Sequence, residues 1–318
     1  MPHHKFLYSF NYDYHHNDLS KLESRQIFDK EVKDKLLFSD LKIDPSISAF
    51  IKNRFDIILS SDNYLGLIEK IKNKKIHFEG FKVEYLILDD DSTSYDERLK
   101  KLRDVGFSIN GKSEYYTPSI IYSICNYKGV WYFGVLTKNN GEWQKHKQKP
   151  YSFSNSICLK IGKTLVNLAS KVDKNKKLLD SCCGVGTILL EACFSGFNIE
   201  GCEINVKPCH QTRENLAHYN YSANVYCSDI KDHHKKYDAA IIDLPYNLYS
   251  YSNDAISANI IESTAKLTSR MVIVSISDIE TLIIKSGFKV VDYCTVEKRG
   301  KSTFQRKIWV CEKNSSKL

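Results

Sequence analysis

Between Lys177 and Asn205 the chain runs Lys-Leu-Leu-Asp-Ser-Cys-Cys-Gly-Val-Gly-Thr, continues as an apolar stretch to Phe194, and resumes as Asn-Ile-Glu-Gly-Cys-Glu-Ile-Asn. Leu178 and Leu179 close a short apolar run on Asp180. Gly184 and Gly186 bend the chain, Thr187 to Phe194 has helical composition, and a second strand-like run ends on Glu203. Strand, tight turn, helix, strand and acid, in that order, suit a parallel sheet. They set the turn and the acid side by side at the carboxyl ends of neighbouring strands. Glycine in such a turn lets a ligand approach the backbone closely. A carboxylate at Glu203 can accept both hydroxyls of a ribose, each charge-assisted bond being worth roughly 1.5–3 kcal/mol. The spacing from Gly184 to Glu203 is near the ~20 residues of a dinucleotide site. Gly184-Val185-Gly186 nevertheless lacks the third glycine of that fingerprint, so the later strands must decide.

Those strands decide for another sheet. Ile157 to Leu168 reads as a helix before the glycine unit, and Val206 to Tyr219 as a polar helix after it. Asn224–Asp229 and Tyr237–Asp243 follow as strands, Ala258–Ser269 as a helix, Met271–Ile276 as a strand and Asp278–Gly287 as a helix. Two further strands, Lys289–Glu297 and Thr303–Glu312, have only Lys298-Arg-Gly-Lys-Ser302 between them. That is too short for a parallel crossover, so the last pair is an antiparallel hairpin. Five parallel strands closed by such a hairpin make the α/β sheet of a class I, Rossmann-like methyltransferase rather than a dinucleotide dehydrogenase. Asp180, Glu203, Asp229 and Asp243 would end four successive strands at one edge. Carboxylates crowded there repel one another, and a cationic, donor-rich ligand relieves the cost. S-adenosylmethionine, with its sulfonium, ammonium, ribose hydroxyls and adenine amine, has that chemistry.

The amino-terminal part alternates on a shorter scale. Lys5–Tyr12, Lys35–Phe38, Phe55–Ser60, Phe81–Leu88 and Val130–Leu136 read as strands, and Ser119–Cys125 is apolar. Asp18–Phe28, Tyr64–Ile71 and Tyr95–Val105 read as helices, and Asp44-Pro45 as the opening of another. One or two small α+β units fit this pattern. Lys145-His-Lys-Gln-Lys-Pro150 is polar, basic and ends in proline. It reads as a solvated connector or a phosphate-contacting hinge, and it divides the chain into 1–145 and 146–318.

A chain of 318 residues, 42% of them hydrophobic, has enough for two cores. No run approaches the ~20 apolar residues of a membrane span. The start, Met-Pro-His-His-Lys-Phe, lacks a long apolar leader core, which predicts a cytoplasmic protein. The net charge of +8 suits a polyanionic partner. The ten cysteines form no Cys-x-x-Cys pair, so no metal site is expected. They read as buried or half-buried thiols in a reducing compartment, and the pairs His3-His4, His15-His16 and His233-His234 as surface residues.

The chemistry concentrates in Ile241-Ile-Asp-Leu-Pro-Tyr-Asn247. Asp-Leu-Pro-Tyr resembles the (Asp/Asn)-Pro-Pro-Tyr motif of amino-methyltransferases. The lone pair of an exocyclic amine is delocalised into its ring. Asp243 and the carbonyl of Leu244 can accept its hydrogens, orienting the nitrogen and favouring its pyramidal form. Pro245 stiffens the turn. Tyr246 offers a face on which an extruded base stacks, typically ~1–3 kcal/mol per base.

With Lys149-Pro-Tyr-Ser-Phe-Ser-Asn-Ser156, Leu165-Val-Asn-Leu-Ala169, Leu179 through Ala192 and Gly201-Cys-Glu-Ile-Asn205, the region from 145 to 250 resembles the tRNA guanine-N2 methyltransferases that act at position 10. The resemblance implies S-adenosylmethionine as cofactor, tRNA as partner and a THUMP-like RNA-binding domain within residues 1–145. It implies that Asp180, Cys182, Gly184, Gly186 and Thr187 shape the methionine pocket and that Glu203 and Ile204 hold the ribose. Asp229 and Ile230 would meet the adenine, Ser154 and Asn155 would line the far side, and Asp243, Leu244, Pro245 and Tyr246 would receive the base. The chain departs from the family pattern at four positions: Ser181 and Cys182 in Asp180-Ser-Cys for Asp-Pro-Phe, Leu244 for a proline, and Asn247 for a glycine. Leu244 keeps the carbonyl, whereas Asn247 bears on which base is taken. Tyr115, Tyr116, Trp131, Tyr132 and Trp143, interleaved with basic residues, suit an RNA-facing surface. Rival readings are an amino-methyltransferase for rRNA, DNA adenine or protein glutamine, and a non-catalytic RNA-binding protein with a relict pocket. An accessory subunit or a homo-oligomer stays open.

Overall fold

The computed structural model describes residues 4–89, 91–153, 156–245, 253–298 and 304–314. Two compact units emerge, and a single cut at 145 does not produce them. The first holds residues 1–11, 32–46 and 50–140; the second holds 12–31, 47–49 and 141–318.

The first unit is built on one six-stranded sheet. Strands β1 (Phe6–Phe10), β2 (Leu36–Ser39), β3 (Ile51–Ser61), β4 (Phe81–Tyr85), β5 (Ile120–Tyr127) and β6 (Val130–Lys138) lie in the order β2-β1-β3-β6-β5-β4. Only β4 and β5 run parallel, because α3 (Tyr95–Gly106) lies in the long connection between them. Asn63 caps α2 (Tyr64–Lys74) through the Gly66 amide, and Ser94 with Glu97 forms a capping box on α3. Leu67 and Ile71 of α2 and Val105 of α3 pack on Phe81, Tyr122, Ile124 and Phe133 of the sheet, where Tyr122 and Phe133 stack at 5.5 Å. The helix expected at Asp44-Pro45 is a single tight turn, Pro45–Ile47.

The second unit carries the expected seven-stranded sheet. Its strands are β7 (Lys177–Asp180), β8 (Asn198–Glu203), β9 (Val225–Cys227), β10 (Ala239–Asp243), β11 (Arg270–Ser275), β12 (Phe288–Lys298) and β13 (Phe304–Lys313), in the order β12-β13-β11-β10-β7-β8-β9. The five from β7 to β11 pair in parallel, and β13 inserts antiparallel between β11 and β12. β10 and β11 read as continuous apolar runs because helices cover both faces of the sheet. Those helices are α4 (Leu159–Ser170), α5 (Thr187–Phe194), α6 (Val206–His218), α7 (Asn253–Ala265) and α8 (Glu280–Lys285). This strand order is that of the class I methyltransferase fold.

The amphipathic helix read over Asp18–Phe28 forms as α1 (Asn17–Phe28), and it belongs to this second unit. Arg25 Nε and Nη2 hold Asp292 of β12 at 3.0 and 2.9 Å. Glu23 accepts Asn167 Nδ2 of α4 at 2.7 Å and Ser48 Oγ at 2.5 Å. The segment read as a solvated connector is different in kind: Glu142–Gln148 is a 3₁₀ helix with Trp143 and His146 buried. His146 Nδ1 meets Glu191 of α5 at 2.6 Å, and Lys163 of α4 reaches the same carboxylate at 3.9 Å. A buried histidine needs such a partner, which composition alone does not reveal. The histidines 15, 16 and 233 are half-buried, and Cys158 and Cys227 are exposed, contrary to the surface and buried readings respectively. No helix among the described residues is long and apolar enough to cross a membrane.

Candidate active site

The loop after β7 is fixed from three sides. Ser181 N donates to Ile241 O of β10 at 2.9 Å, Cys183 N to Cys202 O of β8 at 3.0 Å, and Gly186 N to Cys183 O at 2.8 Å. Gly184 (φ +53°) and Gly186 (φ +78°) take the left-handed backbone that glycine adopts without strain. They differ in what surrounds them. A Cβ on Gly186 would lie 2.7 Å from Thr212 Cγ2, whereas one on Gly184 would meet nothing within 4 Å. Gly186 is therefore a packing glycine, and Gly184 leaves open space on the cleft side.

α6 supplies the buttress. Thr212 Oγ1 donates to Gly184 O at 2.6 Å, and Asn215 Nδ2 to Val185 O at 2.8 Å and Tyr151 O at 3.0 Å. Asn215 Oδ1 accepts Tyr151 N at 2.9 Å, tying the 149–153 segment to the loop. Neither residue stood out in the sequence. The available signal was two polar side chains, three apart, on the buried face of an otherwise polar helix.

All four strand-ending acids stand at the carboxyl edge. Asp180 is wholly buried beneath the loop, with no side-chain donor on its carboxylate among the described residues. Burial first, and the charge of Asp243 second, push its pKa well above the usual carboxylate range. It underlies the cleft instead of lining it. Glu203 Oε2 accepts Gly184 N at 3.0 Å, and its Oε1 accepts Asn205 N and Nδ2 at 2.8 and 3.0 Å. Oε1 thus has both lone pairs engaged, whereas Oε2 keeps one for a further donor. Asp229 caps a short turn by accepting Lys231 N at 3.0 Å. That amide, with the Lys231 ammonium, holds its carboxyl below the usual range. Asp243 ends β10 with Oδ1 buried and unpartnered, and burial pushes its pKa up to about 7, against the opposing charge of Arg306.

A cleft of about 820 Å³ opens over this edge. Cys182, Gly184 and Thr187 of the loop, Glu203 and Ile204, Asp229 and Ile230, and Asp243, Leu244 and Pro245 all line it. Gly186 and Asp180 do not; they support it from behind. Thr187 Oγ1 is buried without a partner at the start of α5. Leu244 is buried and fixed by its N–H to Val274 O at 3.1 Å. Ile256, Asn259, Ile260 and Glu262 of α7, with Lys266 just after it, complete the wall, a contribution the sequence reading missed. Ser154, Asn155 and Tyr246 lie outside the described residues, as do Asn247 and most of the turn between β12 and β13. Phe153 and Ser156, on either side of the first pair, line the cleft.

Residues 147–252 match the UPF0020 family model, described as RMKL-like, methyltransferase domain. A tRNA (guanine(10)-N2)-dimethyltransferase of Methanothermobacter thermautotrophicus is 33% identical over 117 residues, covering 36% of this chain and 34% of that protein. The enzyme of the same name from Methanocaldococcus jannaschii is 26% identical over 221 residues, covering 58% of this chain and 62% of that protein. The chain thus spans about a third and about three-fifths of the lengths of these curated relatives. A solved structure of TrmN from Thermus thermophilus aligns over 97% of this chain and 99% of that one, at 12% identity and a TM-score of 0.49. The fold rests on the strand order rather than on that likeness. The match to a methyltransferase domain thus spans 147–252, and both curated relatives carry the name of the tRNA guanine-N2 methyltransferases that the motifs resemble.

Proposed function

We propose that this protein is an S-adenosylmethionine-dependent tRNA methyltransferase that modifies N2 of a guanine, the one at position 10. The observation that carries the reading is Asp243. It is a buried carboxyl with one oxygen unengaged among the described residues, at the edge of a cleft floored by a glycine loop and followed by Leu244, whose N–H is held by Val274 O, and Pro245. The residues present fit the cofactor. Gly184 leaves a cradle that a Cβ would fill, Glu203 Oε2 keeps a lone pair for a hydroxyl donor, Thr187 Oγ1 lacks a partner among the described residues, and Ile204 and Ile230 offer apolar walls. When bound, the cofactor supplies an electrophilic methyl group.

The chain's own residues then do the positioning. The ionised Asp243 and the Leu244 carbonyl accept the two amine hydrogens, which turns the nitrogen lone pair toward the cleft. Pro245 limits the turn that holds them, and Tyr246 provides the stacking face. The base must leave its helix to reach a cleft of this depth. Residues of the amino-terminal half, with a THUMP-like domain, would hold the RNA. Tyr115 and Tyr116 are exposed there, whereas Trp131 and Tyr132 are half-buried, and Trp143 is a buried residue of the second unit. Ten free cysteines suit a reducing, cytoplasmic setting.

The test is incubation with methyl-labelled cofactor and tRNA transcripts, followed by nucleoside mass spectrometry to separate mono- from dimethylguanosine. Labelling that survives unchanged when the guanine at position 10 is replaced would overturn the site. Labelling of rRNA, DNA or protein in preference to tRNA would overturn the substrate. Cofactor binding absent altogether would favour the relict-pocket alternative.

A further inference from the structure

Two carboxyl groups lie close together at this edge, Asp243 lining the cleft and Asp180 buried beneath it. Ile241 of β10 lies opposite Asp180 of β7, so Asp243, two residues on, shares the face of Asp180 and stands one step nearer the edge. β11 contributes no ionisable group beside them, since Asp243 pairs with Val274. A cation comes from the far side of β11. Ile308 of β13 lies opposite Val274. Arg306, two residues before Ile308 on the same face, therefore stands at the same edge, only 4% exposed. Its charge acts on Asp243 and opposes the effect of burial. Asp180 is buried and feels the charge of Asp243, then the Cys182 amide, which favours its ionised form, then the charge of Glu203; no cation among the described residues acts on it. Cys182 of the loop faces the same acids and is itself held protonated by burial and by them. Glu262 of α7 and Lys266, just past its end, line the cleft.

Neighbouring carboxyls of this kind ionise one after the other, and the difference in surroundings decides which goes first. Chemistry on an amine needs the charge in one place. A carboxylate only accepts hydrogen bonds, whereas a protonated carboxyl also donates and would compete with the amine hydrogens. We propose that Arg306 is a positioning residue of the methyl-transfer site: from β13 it fixes the negative charge on Asp243 and leaves Asp180 neutral. This rests on the methyltransferase reading above. Arg306 does not line the cleft and acts through Asp243.

Single-turnover methyl transfer to tRNA, measured from pH 5.5 to 9 with saturating cofactor, tests it. Replacing Arg306 by Gln or Met should move the acid limb upward, so that the rate at pH 6 falls by about tenfold while the rate at pH 9 stays within about threefold of wild type. Arg306→Lys should keep the limb close to wild type. A uniform loss at every pH, or a limb that coincides with wild type in the neutral variants, would overturn the proposal. Should neither neutral variant fold, carboxyl ¹³C NMR of the wild-type protein, assigned with Asp180→Asn and Asp243→Asn, reads the order of ionisation directly. Asp243 must lose its proton first, and Asp180 ionising first would overturn the inference. A wild-type protein that transfers no methyl group would instead overturn the underlying reading, and the NMR order stands apart from it.

Discussion

Glu203 Oε2 accepts the Gly184 amide at 3.0 Å, so the acid ending β8 holds in shape the glycine loop that follows β7. One carboxylate therefore orders the loop and offers the lone pair left on Oε2 to a ligand. Replacing it by Gln removes the charge from both duties. Glu203→Gln should weaken S-adenosylhomocysteine binding by about ten- to a hundredfold, as expected for one charge-assisted bond of roughly 1.5–3 kcal/mol. Isothermal titration calorimetry checks this, and an unchanged affinity would remove Glu203 from the cofactor site.

The two loop glycines should fail in different ways. Gly186→Ala combines left-handed strain of about 1–3 kcal/mol with a Cβ pressed on Thr212. It should lower the melting temperature, and adding Thr212→Ser, which removes the crowding methyl but keeps the hydroxyl, should recover part of the loss. Gly184→Ala carries the backbone strain alone, with its Cβ in open space. It should cost less stability and more cofactor affinity. Paired melting curves and titrations separate the two, and equal behaviour would refute the distinction.

His146 and Glu191 are both fully buried, joined at 2.6 Å, with Tyr221 OH 3.2 Å from the other ring nitrogen. His146→Ala should destabilise the second unit by about 1.5–3 kcal/mol, the range for a hydrogen bond to a charged group. Cofactor affinity of the folded protein should change little. Urea unfolding followed at Trp143, three residues away in sequence, provides the measurement.

Asp243 also makes stability depend on pH. Its carboxyl is raised from 3.8 to about 7 in the folded protein. Between those values the folded chain retains a proton that the unfolded chain has released, so this contribution to stability falls as pH rises across the window. Asp243→Asn should abolish methyl transfer. It should also flatten the decline and leave the protein more stable than wild type at pH 8, by an amount on the order of a few kcal/mol. Denaturation midpoints at pH 5 and pH 8 decide it, and an unaltered slope would mean that Asp243 is ionised across the range.

Much of this architecture could be read from residues. Asp180, Glu203 and Asp243 each close a strand, Asp229 follows one by two residues, and the short polar link after Glu297 leaves room only for a hairpin. Those two patterns determine the second sheet almost alone. Arg306 escaped because a basic residue near a turn reads as surface. Its signal was its phase: it alternates with Ile308 and Val310 on the buried side of β13, where an arginine requires a reason. His146 escaped likewise, in a basic run whose partner, Glu191, lies 45 residues further on. The partner of α1 could not be read at all. Its periodicity shows that one face is buried, but not that Asn167 and Asp292 would receive it.

That placement has a consequence for biosynthesis. Arg25 of α1 precedes its partner Asp292 of β12 by 267 residues. The second unit must therefore wait until that strand is made before α1 can dock, a long-range closure of the sort that slows folding. A fragment starting at Gly141, the obvious clone for a minimal enzyme, would leave an apolar scar along α4 and β12 and should accumulate in inclusion bodies.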